Sequence, residues 1–182
     1  MISQLSTIMY SEHAIVIEAT QITLSLDKTW EVDPEEYERN LIKLLDFFRF
    51  YADKYHHYKE EEVLFPALLK TNEPTVTSIV AELLEHHVHF RDTLGKVRND
   101  LAGKDYAGAQ QKIKIYIDEL LDHIAAENEE LFPIADTLFA EDELEKLYYK
   151  CIDIDYELGL IHKEELENYI KNFKLKLDET AK

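Results

Sequence analysis

Apolar residues recur at intervals of three and four along this chain, the spacing that lines one face of an α-helix. The first such stretch covers about residues 6–26, with Ile8, Ile15, Ile22 and Leu26 on one edge and Met9, His13 and Val16 beside them. His13 therefore borders an apolar stripe. Asp33-Pro34-Glu35-Glu36 then reads as an N-cap, a proline at the first helical position and acids in the first turn, which together mark a helix start. This second helix carries Leu41, Leu45, Phe48 and Ala52 on its apolar face.

The segment Asn72-Glu73-Pro74-Thr75 ends that helix and starts a third. Its apolar positions Val76, Val80, Leu83, Phe90, Leu94, Val97 and Leu101 lead to Gly103, a candidate for the left-handed residue just past a helix end. A fourth helix begins near Tyr106, carries Ile113, Tyr116 and Leu120, and has to end or bend near Pro133, because proline lacks the N–H and its ring clashes with the preceding turn. Four helices with short connections predict an all-α fold, an antiparallel up-down four-helix bundle over residues 1–136. Beyond Asp136, two shorter amphipathic segments near 141–156 and 163–177, parted by a turn at Gly159, predict a C-terminal helical extension over residues 137–182. It is expected to pack on the same domain or to serve subunit contact, as in a homodimer.

Composition narrows this picture. A length of 182 residues suits one domain, and 46% apolar residues with only four Gly and four Pro are too many for a disordered chain and too turn-poor for a β-sandwich. Twenty Lys and Arg against 38 Asp and Glu leave a charge of −18, which repels nucleic-acid phosphates and anionic lipid head groups. Neither nucleic acid nor membrane is an expected partner. The single cysteine, Cys151, forms no intramolecular disulfide and supplies no thiolate zinc site by itself. With no basic leader before Lys28, the expectation is a cytoplasmic protein.

The chemistry lies in the histidines. Seven of the eight fall on the four bundle helices: His13; His56 and His57; His86, His87 and His89; and His123. Two segments are near-copies, HHYKEEEVLFP at 56–66 and HIAAENEELFP at 123–133, so the first helical pair is mirrored by the second. The repeat sets His56 with Glu60 and His123 with Glu127, each pair four residues apart and stacked on one helix face. The apolar stripes run into these pairs, which places them toward the core. A buried carboxylate must neutralise or find a partner, and a metal cation satisfies several such groups at once. Imidazole and carboxylate without thiolate suit iron, with manganese or zinc as substitutes. The competing view, in which these pairs are solvated salt-bridge faces of acidic helices, does not account for the repeat.

Within the doublets the sequence leaves alternatives. His57 and Glu61 also stand four apart, but share their stripe with Asp53 and Lys54 and so read as solvent-facing. His87 keeps the heptad register of Val80, Leu94 and Leu101, whereas His86 matches His13 if Glu85-His86 is aligned with Glu12-His13. His57, Glu61 and His86 remain supporting residues or alternative ligands. His89 and His162 carry no comparable pattern, and Tyr51, Tyr55 and Tyr58 are expected to pack near the bundle end.

With Glu-His in the first helix, HHYKEEEVLFP in the second, a His-rich third and HIAAENEELFP in the fourth, the chain resembles the hemerythrin-like HHE cation-binding family over roughly residues 5–136. The resemblance implies a di-iron centre, oxo-bridged in its ferric form, with His13, His56, Glu60, His87, His123 and Glu127 as metal ligands and the two glutamates bridging. Oxygen-carrying hemerythrin has a further third-helix histidine four residues after the first; Phe90 or Arg91 stands in that region here. Simple oxygen transport is therefore not the expectation. Ferritin-like proteins use Glu-x-x-His, a pattern absent from this sequence. Three functions follow: a non-enzymatic metal-binding protein that senses or handles oxygen, nitric oxide or iron; an enzyme of oxidative or nitrosative stress defence, reducing nitric oxide or peroxide or donating iron to damaged iron–sulfur centres; or an interaction module whose metal serves stability alone.

Overall fold

The computed structural model describes residues 2–180, with side chains through residue 176. Met1 and the last two residues of the expected spans lie outside the described residues. Among the described residues the chain forms six helices and no strand: α1 (Gln4–Ser25), α2 (residues 34–69), α3 (Pro74–Ala102), α4 (residues 106–138), α5 (Glu141–Leu158) and α6 (Leu160–Thr180). No helix among them is long and apolar enough to cross a membrane.

The sequence places three of the helix starts through side-chain oxygens that satisfy otherwise free N–H groups. Ser3 accepts from the Ser6 amide and Asp33 from that of Glu36. Asp105 caps α4 by accepting from Gly108, where any Cβ would strike the capping carboxylate. At the end of α3 the left-handed residue is Lys104, with φ 60°, and not Gly103, whose φ is −81°. The helix carries one residue further than expected, and the amides of Lys104 and Asp105 close back on Leu101 and Asp100 at 2.9 Å each, the paired bonds of a Schellman ending. The expected break at Gly159 does take a positive φ, 102°.

Neither proline after the repeated motif ends its helix. Instead α2 and α4 widen to π-type turns at Glu60–Leu64 and Glu127–Leu131. The Phe65 amide bonds the Glu60 carbonyl, and the Phe132 amide that of Glu127, each five residues back. Pro66 and Pro133 have no N–H to offer a four-residue ladder, and the wider turn lets the chain pass them. In α2 a further π-type stretch runs over Phe48–His57. The matching part of α4 stays α-helical.

Two apolar blocks result. One, around Leu41, Phe48, Val97, Ile117 and Leu120, fills the end of the bundle nearer the α1–α2 turn, and Ile170 of α6 joins it. The other gathers Leu5, Met9, Leu64, Leu68, Val80 and Phe132, with Leu147, Cys151 and Ile154 of α5. Between them lies a buried layer of polar side chains.

Candidate metal centre

Four helices deliver the layer. His13 comes from α1; His56, His57 and Glu60 from α2; His87 from α3; His123 and Glu127 from α4; all are at most 3% exposed. Their atoms fall into two groups sharing Glu60: His13, His56, Glu60 and Glu127, and His57, Glu60, His87 and His123, each within 4.8 Å of one another. We call these the first and second positions.

Each glutamate lies between histidines of different helices. Glu60 is 3.6 Å from His56 Nε2 and 3.5 Å from His87 Nε2; Glu127 is 3.3 Å from His13 Nε2 and 3.2 Å from His123 Nε2. Both carboxylates, His13 Nε2, His56 Nε2 and His57 Nδ1 are buried without a hydrogen-bond partner. A buried polar atom left unpaired costs about 1–3 kcal/mol, and more if charged. Such atoms converging on two points are donors that fit metal ions, and all are nitrogen or oxygen. Cys151, its thiol pushed up to about 12 chiefly by burial, is not among either group.

Outward-facing ring nitrogens are held in turn. His13 Nδ1 meets the Asn128 amide oxygen at 2.8 Å, His56 Nδ1 the Glu12 carboxylate at 3.0 Å, and His87 Nδ1 the Glu61 carboxylate at 2.8 Å. Such bonds fix which nitrogen carries the proton and leave the other free toward the centre. Glu61 is itself bound by Arg91, which also reaches Asp53. Glu12 is gripped by Lys59 and Lys163.

Electrostatics agree with a cation-binding layer. Burial, with His13 beside it, drives the His56 pKa down to about 4 against the pull of Glu12. Burial takes His123 down to about 3, although Glu127 opposes it. His57 falls well below its ordinary value through burial and the adjacent His87. These imidazoles are neutral at pH 7, the form that donates a lone pair. Burial and the neighbouring Glu127 push Glu60 well above the carboxylate range. For Glu127, burial acts the same way but His123 and His13 outweigh it and hold it low.

The histidine expected on a solvent-facing stripe departs from that expectation: His57 is 3% exposed and stacks on His87 at 3.9 Å. The reason is local. An α-helical period turns Asp53 and His57 outward, but the widened Phe48–His57 turns bring both inward, and Arg91 meets Asp53 there. The repeat holds a trace of this, since Ile124, the counterpart of His57, is also buried. His86 is half-buried, its Nδ1 3.4 Å from His123 Nδ1, and lies outside both groups. Glu61 likewise stays outside them. His89 pairs with Glu119 at the surface.

Sequence reasoning passed over Glu12, Lys59 and Asn128 as site residues, along with Asp155 and Lys163. A charged residue on an amphipathic helix reads as solvent-facing, and Glu12 and Lys59 are buried where Asp155 of α5 and Lys163 of α6 pack against them. A family model, the hemerythrin HHE cation binding domain, matches residues 5–135. No curated protein and no solved structure matches the chain.

Proposed function

The chain belongs to the hemerythrin HHE cation-binding domain family, and from that premise we propose that it holds two iron ions, one at each position, bridged by Glu60 and Glu127. On this reading His13 and His56 complete the first position, and His57, His87 and His123 the second, so His57 joins the ligands that the family resemblance implies. The observation that carries it is the set of unpartnered buried donors, from His13, His56, His57, Glu60 and Glu127, spread over two groups that have Glu60 in common. Iron is favoured over zinc because two carboxylates spanning two imidazole-rich positions suit a dinuclear redox metal.

The role proposed is sensing or handling oxygen, nitric oxide or iron in the cytoplasm. Bound iron would supply redox chemistry and a place for a small diatomic ligand; the protein supplies neutral imidazoles and water exclusion. The side toward Glu61, 22% exposed, and half-buried His86 is the less sealed approach. That approach also supports a second reading, an enzyme reducing nitric oxide or peroxide. Metal analysis with absorption spectroscopy of aerobically purified protein tests the first: two irons per chain with near-ultraviolet charge-transfer bands are expected, and stoichiometric zinc or less than one metal per chain defeats it. Stopped-flow mixing of the reduced, loaded protein with nitric oxide or peroxide tests the second, which absence of turnover would sink.

A further inference from the structure

His56 is tied through Glu12 to helices outside the family-matched segment. Glu12, 2% exposed, accepts from His56 Nδ1 through Oε2. Its Oε1 is gripped by Lys59 of α2 and, at 2.5 Å, by Lys163 of α6. Both ammonium groups then reach Asp155 of α5, each at 2.6 Å. Two carboxylates and two ammonium groups thus close a neutral ring. Lys59 is fully buried and Asp155 is 4% exposed. The Tyr55 hydroxyl fixes the α5–α6 turn by donating to the carbonyls of Leu158 and Gly159 at 3.0 and 2.8 Å.

Asp155 and Lys163 lie beyond residue 135, where the family match ends. A buried carboxylate needs each of its charges compensated, and removing one partner leaves the remainder uncompensated. Without Lys163, Glu12 and Asp155 face Lys59 alone, and Glu12 is freed to leave His56. Among the described residues the second position has no such tie to Asp155 or Lys163. Its supporting carboxylate, Glu61, is held by Arg91, within the matched segment and 32% exposed.

Resting on the two-ion reading above, we propose that Lys163 and Asp155 are positioning residues that act through Glu12 on His56, making α5 and α6 part of the first metal position and not of the second. Losing an outer-shell partner of a ligating histidine typically lowers metal affinity about 10–100-fold.

The test is titration of metal-free protein with Co2+, read by its visible d–d bands and by chelator competition. Lys163→Met is expected to weaken one of two Co2+ sites about 10–100-fold and to shift its bands, with the other site unchanged. Lys163→Arg, which keeps the charge, is expected to recover most of the loss. In a His13→Ala background, which removes the first position, Lys163→Met is expected to add nothing. Circular dichroism checks the fold, and if Lys163→Met does not fold, the near-isosteric Asp155→Asn takes its place with the same expectation. Two unchanged affinities, or equal loss at both sites, overturns the proposal. Wild-type protein binding fewer than two Co2+ ions defeats the two-ion reading instead, which is a separate result.

Discussion

Glu60 and Glu127 occupy equivalent places in the repeat, four residues after a histidine and at the start of a π-type turn, yet their carboxyl pKa values are driven in opposite directions. Two carboxylates buried together cannot both ionise at ordinary cost, so the pair retains one proton. Glu127 has His13 and His123 to favour its charge. Glu60 is pushed the other way, toward its protonated form, by burial and by Glu127.

Cation binding must therefore displace that proton. Calorimetric titration of the metal-free protein at pH 7 in two buffers of different ionisation enthalpy is expected to show release of about one proton per protein as the centre fills. An enthalpy that does not depend on the buffer would mean that Glu60 is already ionised.

The same pair opposes stability when empty. Glu60→Gln keeps the shape and is neutral without binding a proton, so it is expected to raise the urea midpoint of metal-free protein at pH 7 while abolishing metal binding at both positions. Glu127→Ala is expected to lose metal as well, whereas Glu129→Ala retains most of it and Glu61→Ala, which takes away only the support of His87, loses less than Glu127→Ala. Equal metal loss in all four variants would contradict the assignment of donors.

His57 and His86 separate the geometric assignment from one based on motif alignment. His57→Ala is expected to reduce bound metal from two ions to one, because the second position loses one of its three imidazole donors. His86→Ala is expected to leave the stoichiometry at two. The reverse pattern, measured by metal analysis after dialysis, would exchange their roles.

Acid should weaken the metal-free fold. Between pH 6.5 and about 4 the unfolded chain protonates His56 while the folded chain does not, so stability rises with pH through this window and is lost as pH falls. The drop from 6.5 to about 4 corresponds to about 3 kcal/mol. His123 acts in the same direction down to about 3, and Glu127 adds a loss below its ordinary carboxylate range. Glu60 acts oppositely, since its folded form holds a proton above that range. Urea midpoints of metal-free protein are expected to fall steadily from pH 7 to 5. A flat profile would show that these imidazoles are not held neutral.

The repeat and the apolar stripes made the helices legible, because burial of a 3.6-residue face is a local pattern that one helix displays by itself. They also brought His56, Glu60, His123 and Glu127 into view as neighbours along α2 and α4. The sequence alone did not reveal how α2 is wound. His57 turns inward through π-type turns over Phe48–His57, and their widened period is invisible to a pattern that assumes 3.6 residues per turn. Nor does the sequence expose the burial of Glu12 and Lys59, since a charge on a helix face reads as solvated until another element covers it. Asp155 and Lys163, more than 140 residues away from Glu12 along the chain, supply that cover. Local periodicity decided the helices and the two His-Glu pairs; the packing of α5 and α6 over α1 and α2 decided that Glu12 and Lys59 are buried, because desolvation depends on what lies across the gap and not on neighbours in sequence.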